Sequence, residues 1–202
     1  MNKPSPLTLK LLFDYEVGGG QKYYEKKLSK FTWPEGASGP TIAIGVDCAY
    51  YSAAELAEIF DFLPEAQVKL IQGSVGKTGA KGEEYTRILR KAGITVSWAQ
   101  AVPIFEKLTW PKFSKLAEKA FPGLTELRPN AYGAIVSLVF NRGTSFAGDR
   151  RLEMRNIRTL VKKKDYKGIA NEFRKMKRIW VGKGLDGLLE RRDAEAKLAE
   201  TP

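Results

Sequence analysis

Histidine is missing altogether from the 202 residues, and cysteine occurs once, as Cys48. Without an imidazole there is no Ser–His or Cys–His pair, so nucleophilic catalysis with a histidine base is excluded. A single thiol closes no intramolecular disulfide, and no thiolate or imidazole cage for a metal can be assembled. Acid–base chemistry near neutral pH must then come from carboxylates, lysine or tyrosine, and no cofactor is expected. Long apolar runs are lacking as well. The patch around Leu7–Phe13 is cut off by Asp14 and Glu16 with no small-residue cleavage site behind it, and nothing approaches the ~18 residues of a membrane span. Neither a signal peptide nor a transmembrane segment is expected. A role on the cell wall would therefore mean synthesis in a host cytoplasm and release by another agent. Internal repeats and low-complexity segments are absent too.

Apolar residues make up 43% and charged residues 28%, the balance of an ordinary folded domain rather than a disordered chain. Thirty-four Lys and Arg stand against 23 Asp and Glu, leaving a net charge of +11. A field of that sign concentrates polyanions: nucleic acid, an anionic membrane surface, or the anionic polymers of a bacterial wall. Zinc-ligand spacing, an RNA-binding aromatic signature and a helix-turn-helix pattern are all absent, so nucleic acid is not the expected partner.

Along the chain, Leu7, Leu11, Leu12 and Tyr15 form the apolar face of a short helix over 6–16, and Gly18-Gly19-Gly20 ends it. Residues 21–40 read as irregular turns around Trp33-Pro34, Gly36 and Gly39-Pro40. From Thr41 to Asp47 the residues alternate, with Ile42, Ile44 and Val46 on one side, which predicts one strand with a buried face. Ser52 and Glu55 form a capping-box pattern opening a helix through about Phe62. Further helices are expected near 64–72, 80–92, 97–107, 111–120, 129–141, 152–163, 165–176 and 184–199. The nearly all apolar or small stretch 131–140 marks the buried central helix. The fold class is α+β in one domain: a small strand-bearing lobe over about 15–52, a larger helical lobe from 1–14 and 53–202, and a cleft between them.

Three carboxylates stand out. Glu16 closes the first helix, where the dipole is negative; with burial, that position would keep an acid protonated, as a general acid requires. The alternative is an ordinary surface glutamate. Asp47 and Thr41 share the open face of the strand, where a carboxylate and a hydroxyl can orient a water. A straight strand of six residues spans about 20 Å, however, so the chain must turn near Gly45 for them to cooperate, or Glu16 must reach across. The plainer reading of Asp47 is a strand-terminal turn cap. Glu35 lies in the turn-rich stretch six residues before Thr41, where most glutamates are merely solvated.

Glu16 followed by SGPTIAIGVD (38–47) resembles the active-site stretch of phage-type lysozymes, glycoside hydrolase family 24, and their pesticin-like endolysin relatives. TWPEGASGPTIAIGVDCAYYS (32–52) is similar to the Trp-Pro-Gly-Gly-x-Ser-Gly-x-Thr-Ile branch of endolysins. AYGAIVSLVFNRG (131–143) resembles the central helix ending in Phe-Asn-x-Gly, and GKGLDGLLERRDAE (182–195) the Gly-Leu-x-x-Arg-Arg-x-x-Glu helix. The resemblance implies a lysozyme-like fold and a muramidase that cleaves the β-1,4 bond after N-acetylmuramic acid in peptidoglycan. It carries the general acid to Glu16 and the strand threonine to Thr41. The second carboxylate goes to Asp47 by the pesticin-like pattern, or to Glu35 by the pattern of other phage lysozymes; Asp47 is preferred, because the endolysin branch usually has glycine at Glu35. Ala43 replaces the usual first glycine of the strand, a change expected to be tolerated.

Among substrate contacts, Asn141 and Arg142 are candidates at the end of the central helix, against the plainer reading of a helix end before Gly143. Tyr23, Tyr24 and Trp33 are candidates for stacking on sugars. Arg191 and Arg192 are expected to pair with nearby acids. The runs Lys162–Lys164 and Arg174–Arg178 are expected to be solvated, or to attract the wall or an anionic outer-membrane surface. Inversion of configuration, a monomer and lysis of the host wall complete the expectation. A lytic transglycosylase, needing one acid only, and an antibacterial toxin domain are its rivals.

Overall fold

Helix formation begins at Ser5, whose hydroxyl accepts the Thr8 N–H at 3.1 Å, ahead of Pro6, whose fixed φ and missing donor suit a first turn. In the computed structural model, which describes residues 3–18 and 20–202, α1 runs Pro6–Glu16. Gly18 lies beyond its end at φ +63°. A helical segment absent from the sequence reading follows, α2 Gly20–Tyr23 continuing into a π-helical turn Tyr24–Leu28. Two short strands, β1 Thr41–Ile42 and β2 Val46–Asp47, precede the helical succession α3 Ala53–Ile59, α4 Glu65–Gln72, α5 Gly79–Lys91 and α6 Trp98–Ile104. Then come α7 Trp110–Ala120, α8 Pro129–Arg142, α9 Leu152–Lys163, α10 Tyr166–Lys175 and α11 Asp186–Glu200. The fold is α+β: mostly helical with one small antiparallel sheet. Among the described residues, no helix is long and apolar enough to cross a membrane.

Two compact units result, Met1–Gly20 with Glu106–Pro202, and Gln21–Phe105. The expected lobe boundary near residue 52 therefore moves, because α3 to α6 group with the strands.

In the first unit α8 is the core element. Its residues 130–139 are all buried, and α1, α7 and α11 pack around it. Where α1 crosses, Gly133 admits Thr8 so closely that a Cβ there would lie 1.9 Å from Thr8 Oγ1. This contact corrects the expected face of α1: Thr8 and Phe13 are buried with Leu11 and Leu12, whereas Leu7 is 48% exposed. Ser5 Oγ donates to Asn130 Oδ1 at 2.6 Å, tying the start of α1 to the start of α8.

In the second unit the expected single strand is a hairpin. Thr41 pairs with Asp47 and Ile42 with Val46, and the chain reverses through Ala43 at φ +56° and Gly45 at φ +79°. Thr32 adds a bridge to Thr41 on the other side, closing the loop that holds Glu35. The alternating pattern misled because turn residues 43 and 44 are also buried. Ser52 and Glu55 make both bonds of the capping box, but α3 stops at Ile59 rather than Phe62. Pro103 lies inside α6, which passes at Ile104 into a π-helical turn Phe105–Thr109 that leads into α7.

Candidate active site

The site is built from the end of α1 outward. Glu16 is the last residue of α1, and its side chain keeps 24% of its exposure. The apolar burial expected for it is not found. Arg191 of α11 donates from Nη1 to Glu16 Oε1 at 2.5 Å. The guanidinium is itself fixed from behind: Nε donates to Glu195 Oε1 at 3.2 Å, and Nη2 to the Ser137 carbonyl and hydroxyl at 3.1 and 3.0 Å. Glu195, fully buried, also accepts from Arg192 Nη2 at 2.8 Å and Ser137 Oγ at 2.7 Å. The expectation that Arg191 and Arg192 pair with acids thus holds, and one of those acids is Glu16. Tyr15 stands beside this cluster; burial, then the negative charges of Glu190, Asp14 and Glu195, push its phenol above the usual range, so it stays neutral.

Glu16 opens onto a cavity of about 420 Å³ lined by Tyr15, Asn141, Leu188 and Arg191 among others. Asn141 and Leu188 also line a second cavity of about 680 Å³ that contains Arg142, Asp149, Arg150, Arg151 and Trp180. Arg142 lies over the Trp180 ring at 4.8 Å and donates from Nη2 to the Arg150 carbonyl, while its Nε and Nη1 are buried without a hydrogen-bond partner. Burial, with Arg151, Arg192 and Arg150 close by, pushes Arg142 down to about 10. Asp149, the carboxylate in that cavity, is taken up by Arg178 at 2.8 Å. The plainer reading of the helix end is also realised, since Gly143 caps α8 at φ +69°.

The hairpin carries the other candidates. Asp47 caps the short 3₁₀ turn after it: its carboxylate accepts the Ala49 N–H at 3.2 Å and the Gly39 N–H at 3.2 and 3.0 Å. The turn-capping role weighed for this residue is therefore present. Its Cα partner across the sheet is Thr41, whose hydroxyl donates to the Gly39 carbonyl at 3.2 Å and keeps its lone pairs free for another donor. The reversal at Ala43 and Gly45 removes the length objection to pairing these two residues. Glu35 is exposed in a turn with φ +73°. Tyr24 corrects an expectation: it is fully buried, packs edge-on against Trp98 and donates to the Val96 carbonyl at 2.8 Å, so no sugar can stack on it. Trp33 is half-buried with its indole N–H given to the Ser38 carbonyl, while Tyr23 is 43% exposed.

The family model of phage lysozyme matches residues 70–195. This chain belongs to the phage lysozyme family. It is a lysozyme-type glycosidase, and peptidoglycan is the substrate of that family. The matched span contains Asn141, Arg142, Arg191, Arg192 and Glu195, while Glu16, Glu35, Thr41 and Asp47 lie before it. The crystal structure of the active form of P1 phage endolysin Lyz is similar at 17% identity and a TM-score of 0.48, over 97% of this chain and 84% of that one. No curated protein matches the sequence.

Two residues of this candidate site were given no role by the sequence reading, Ser137 and Glu195. Glu195 had a signal: it follows Arg191 by four residues and Arg192 by three, so on a helix one carboxylate meets both guanidiniums. Ser137 had none, being a small residue within an apolar helix.

Proposed function

We propose that this chain is a muramidase that hydrolyses the β-1,4 bond between N-acetylmuramic acid and N-acetylglucosamine, with Glu16 as proton donor. The observation that supports this reading is the Glu16 carboxylate itself, held on one oxygen by Arg191 at the rim of a polar cavity. As the glycosidic bond breaks, Glu16 gives its proton to the leaving oxygen, and the sugar ring takes on oxocarbenium character. Asp47 supplies the ionised carboxylate that stabilises this charge and activates a water held with the Thr41 hydroxyl. Asp47 is favoured over Glu35 on mechanical grounds: three backbone contacts fix its carboxylate beside Thr41, whereas Glu35 is exposed. Asn141 and Arg142, which line the second cavity, contact the substrate. Attack by water with inversion at the anomeric carbon completes the reaction, and host lysis follows.

Clearing of purified peptidoglycan, followed by mass spectrometry of the products, tests the proposal. Glu16→Gln is expected to lower the rate by about 10²-fold or more while the melting temperature is kept. A folded Glu16→Gln protein that clears normally removes Glu16 from the role. Asp47→Asn retains an acceptor oxygen for the cap and is expected to cost far more activity than Glu35→Gln; the reverse order transfers the role to Glu35. The capping of Asp47 also favours a second reading, a transglycosylase working with one acid. Anhydromuramic ends among the products, with Asp47→Asn active, would establish it.

A further inference from the structure

We propose that Glu195 is a positioning residue for catalysis, fixing the Glu16 carboxylate through Arg191; this rests on Glu16 being the proton donor. Each nitrogen of the Arg191 guanidinium has a partner. Nε is held by Glu195 Oε1, Nη2 by the carbonyl and hydroxyl of Ser137, and Nη1 is left pointing at Glu16. The planar guanidinium has a rigid fork of donors, so fixing two of its nitrogens fixes where the third points. Glu16 has no comparable constraint from its own helix, which ends at that residue and passes to Val17 and Gly18. The position of its carboxylate is therefore set by α11, on which Arg191 and Glu195 lie one turn apart.

Charge points the same way. Arg191 and Arg192 are 3% and 0% exposed, and Glu195 and Glu16 are the acids they touch. Glu195 binds both guanidiniums through one oxygen, Oε1, and Glu16 binds the outward end of Arg191. A buried guanidinium that loses a carboxylate seeks another. With Glu195 neutral, Arg191 would be drawn off its present line and Glu16 with it, while the other walls of the cavity, Asn141 and Leu188 among them, stay as they are. The consequence is specific: loss of Glu195 harms the chemical step and spares substrate binding.

Glu195→Gln keeps the size and one acceptor oxygen and removes the charge. On purified peptidoglycan its kcat is expected to fall by about 10-fold or more, because misplacement of a reacting group by an ångström is that costly, while KM stays within about two-fold. Glu195→Asp, which restores the charge, is expected to recover part of the loss. In ¹⁵N spectra, the Arg191 side-chain resonances should move in Glu195→Gln and also in Glu16→Gln, as linked members of one chain of contacts. A folded Glu195→Gln protein with wild-type kcat overturns the proposal, and so does a loss of kcat with the Arg191 resonances unmoved. If Glu195→Gln does not fold, Ser137→Ala decides: it removes one support of Arg191 and should lower kcat at constant KM, and an unchanged kcat refutes the relay. Should the wild-type protein leave peptidoglycan intact, the muramidase reading fails separately. The spectra still report in that case: Arg191 resonances that respond to both substitutions support the coupling, and resonances that respond to only one reject it.

Discussion

Ala43 holds the hairpin in a conformation that a residue with a Cβ adopts at a cost. Its φ of +56° lies in the left-handed region, where an L-residue pays roughly 1–2 kcal/mol relative to glycine. Ala43→Gly should relieve that strain at some expense in chain entropy, for a net gain of about 0.5–1 kcal/mol, or roughly 1–4 °C in melting temperature. A calorimetric scan with no rise would mean that neighbouring contacts, rather than the dihedral, decide this position. The family resemblance showed that glycine is usual here; its physical reason is visible only in the folded turn. Asp47 has the same history. Its carboxylate was legible as a candidate from its spacing to Thr41, but two of its three backbone contacts come from Gly39, which is brought close by a loop whose path no periodicity encodes.

Elements were easier to read where their partners did not matter. The central helix α8 announced itself as an apolar stretch and is buried from Asn130 to Val139. The capping box of α3 was visible as two residues. The face of α1 was misjudged, since the choice between Leu7 and Thr8 is made by Gly133 on another helix. That crossing makes a prediction. Gly133→Ala places a methyl group against Thr8 and should destabilise the protein by about 1–3 kcal/mol. Thr8→Ala in the same chain should recover part of that loss, because it removes the crowded hydroxyl and methyl. Chemical denaturation of the single and double variants measures the coupling, and strictly additive losses would mean that the two sites do not interact. Activity should fall along with stability in Gly133→Ala, as α1 carries Glu16 at its far end.

Over the whole molecule the charge of +11 persists, but not where the basic runs suggested. Arg174, Lys175, Lys177 and Arg178 are each paired with an acid, Glu200, Glu172, Asp193, and Glu153 with Asp149, and Lys164 pairs with Glu126. The charge of the 174–178 run is thus offset locally, and the remaining excess suits long-range attraction to a polyanionic wall. Raising ionic strength from about 0.05 to about 0.5 M shortens the screening length to a few ångströms, so KM on whole peptidoglycan should rise several-fold while kcat changes little. A salt-independent KM would remove charge from the account of wall targeting. The same titration on vesicles of anionic lipid tests the outer-membrane surface as a second partner.

Local and additive properties were determined by the sequence alone. The absence of histidine restricted the chemistry to carboxylates and their like. Periodicity and capping residues set α1 and α3 to α11 to within a few positions, because these features act within one turn of chain. The tertiary structure alone decided which polar groups meet: Glu16 with Arg191, 175 residues apart, Thr8 with Gly133, and Asp47 with the Gly39 amide. Such pairings are set by how buried faces pack, and in a close-packed interior the position of each side chain depends on all its neighbours at once.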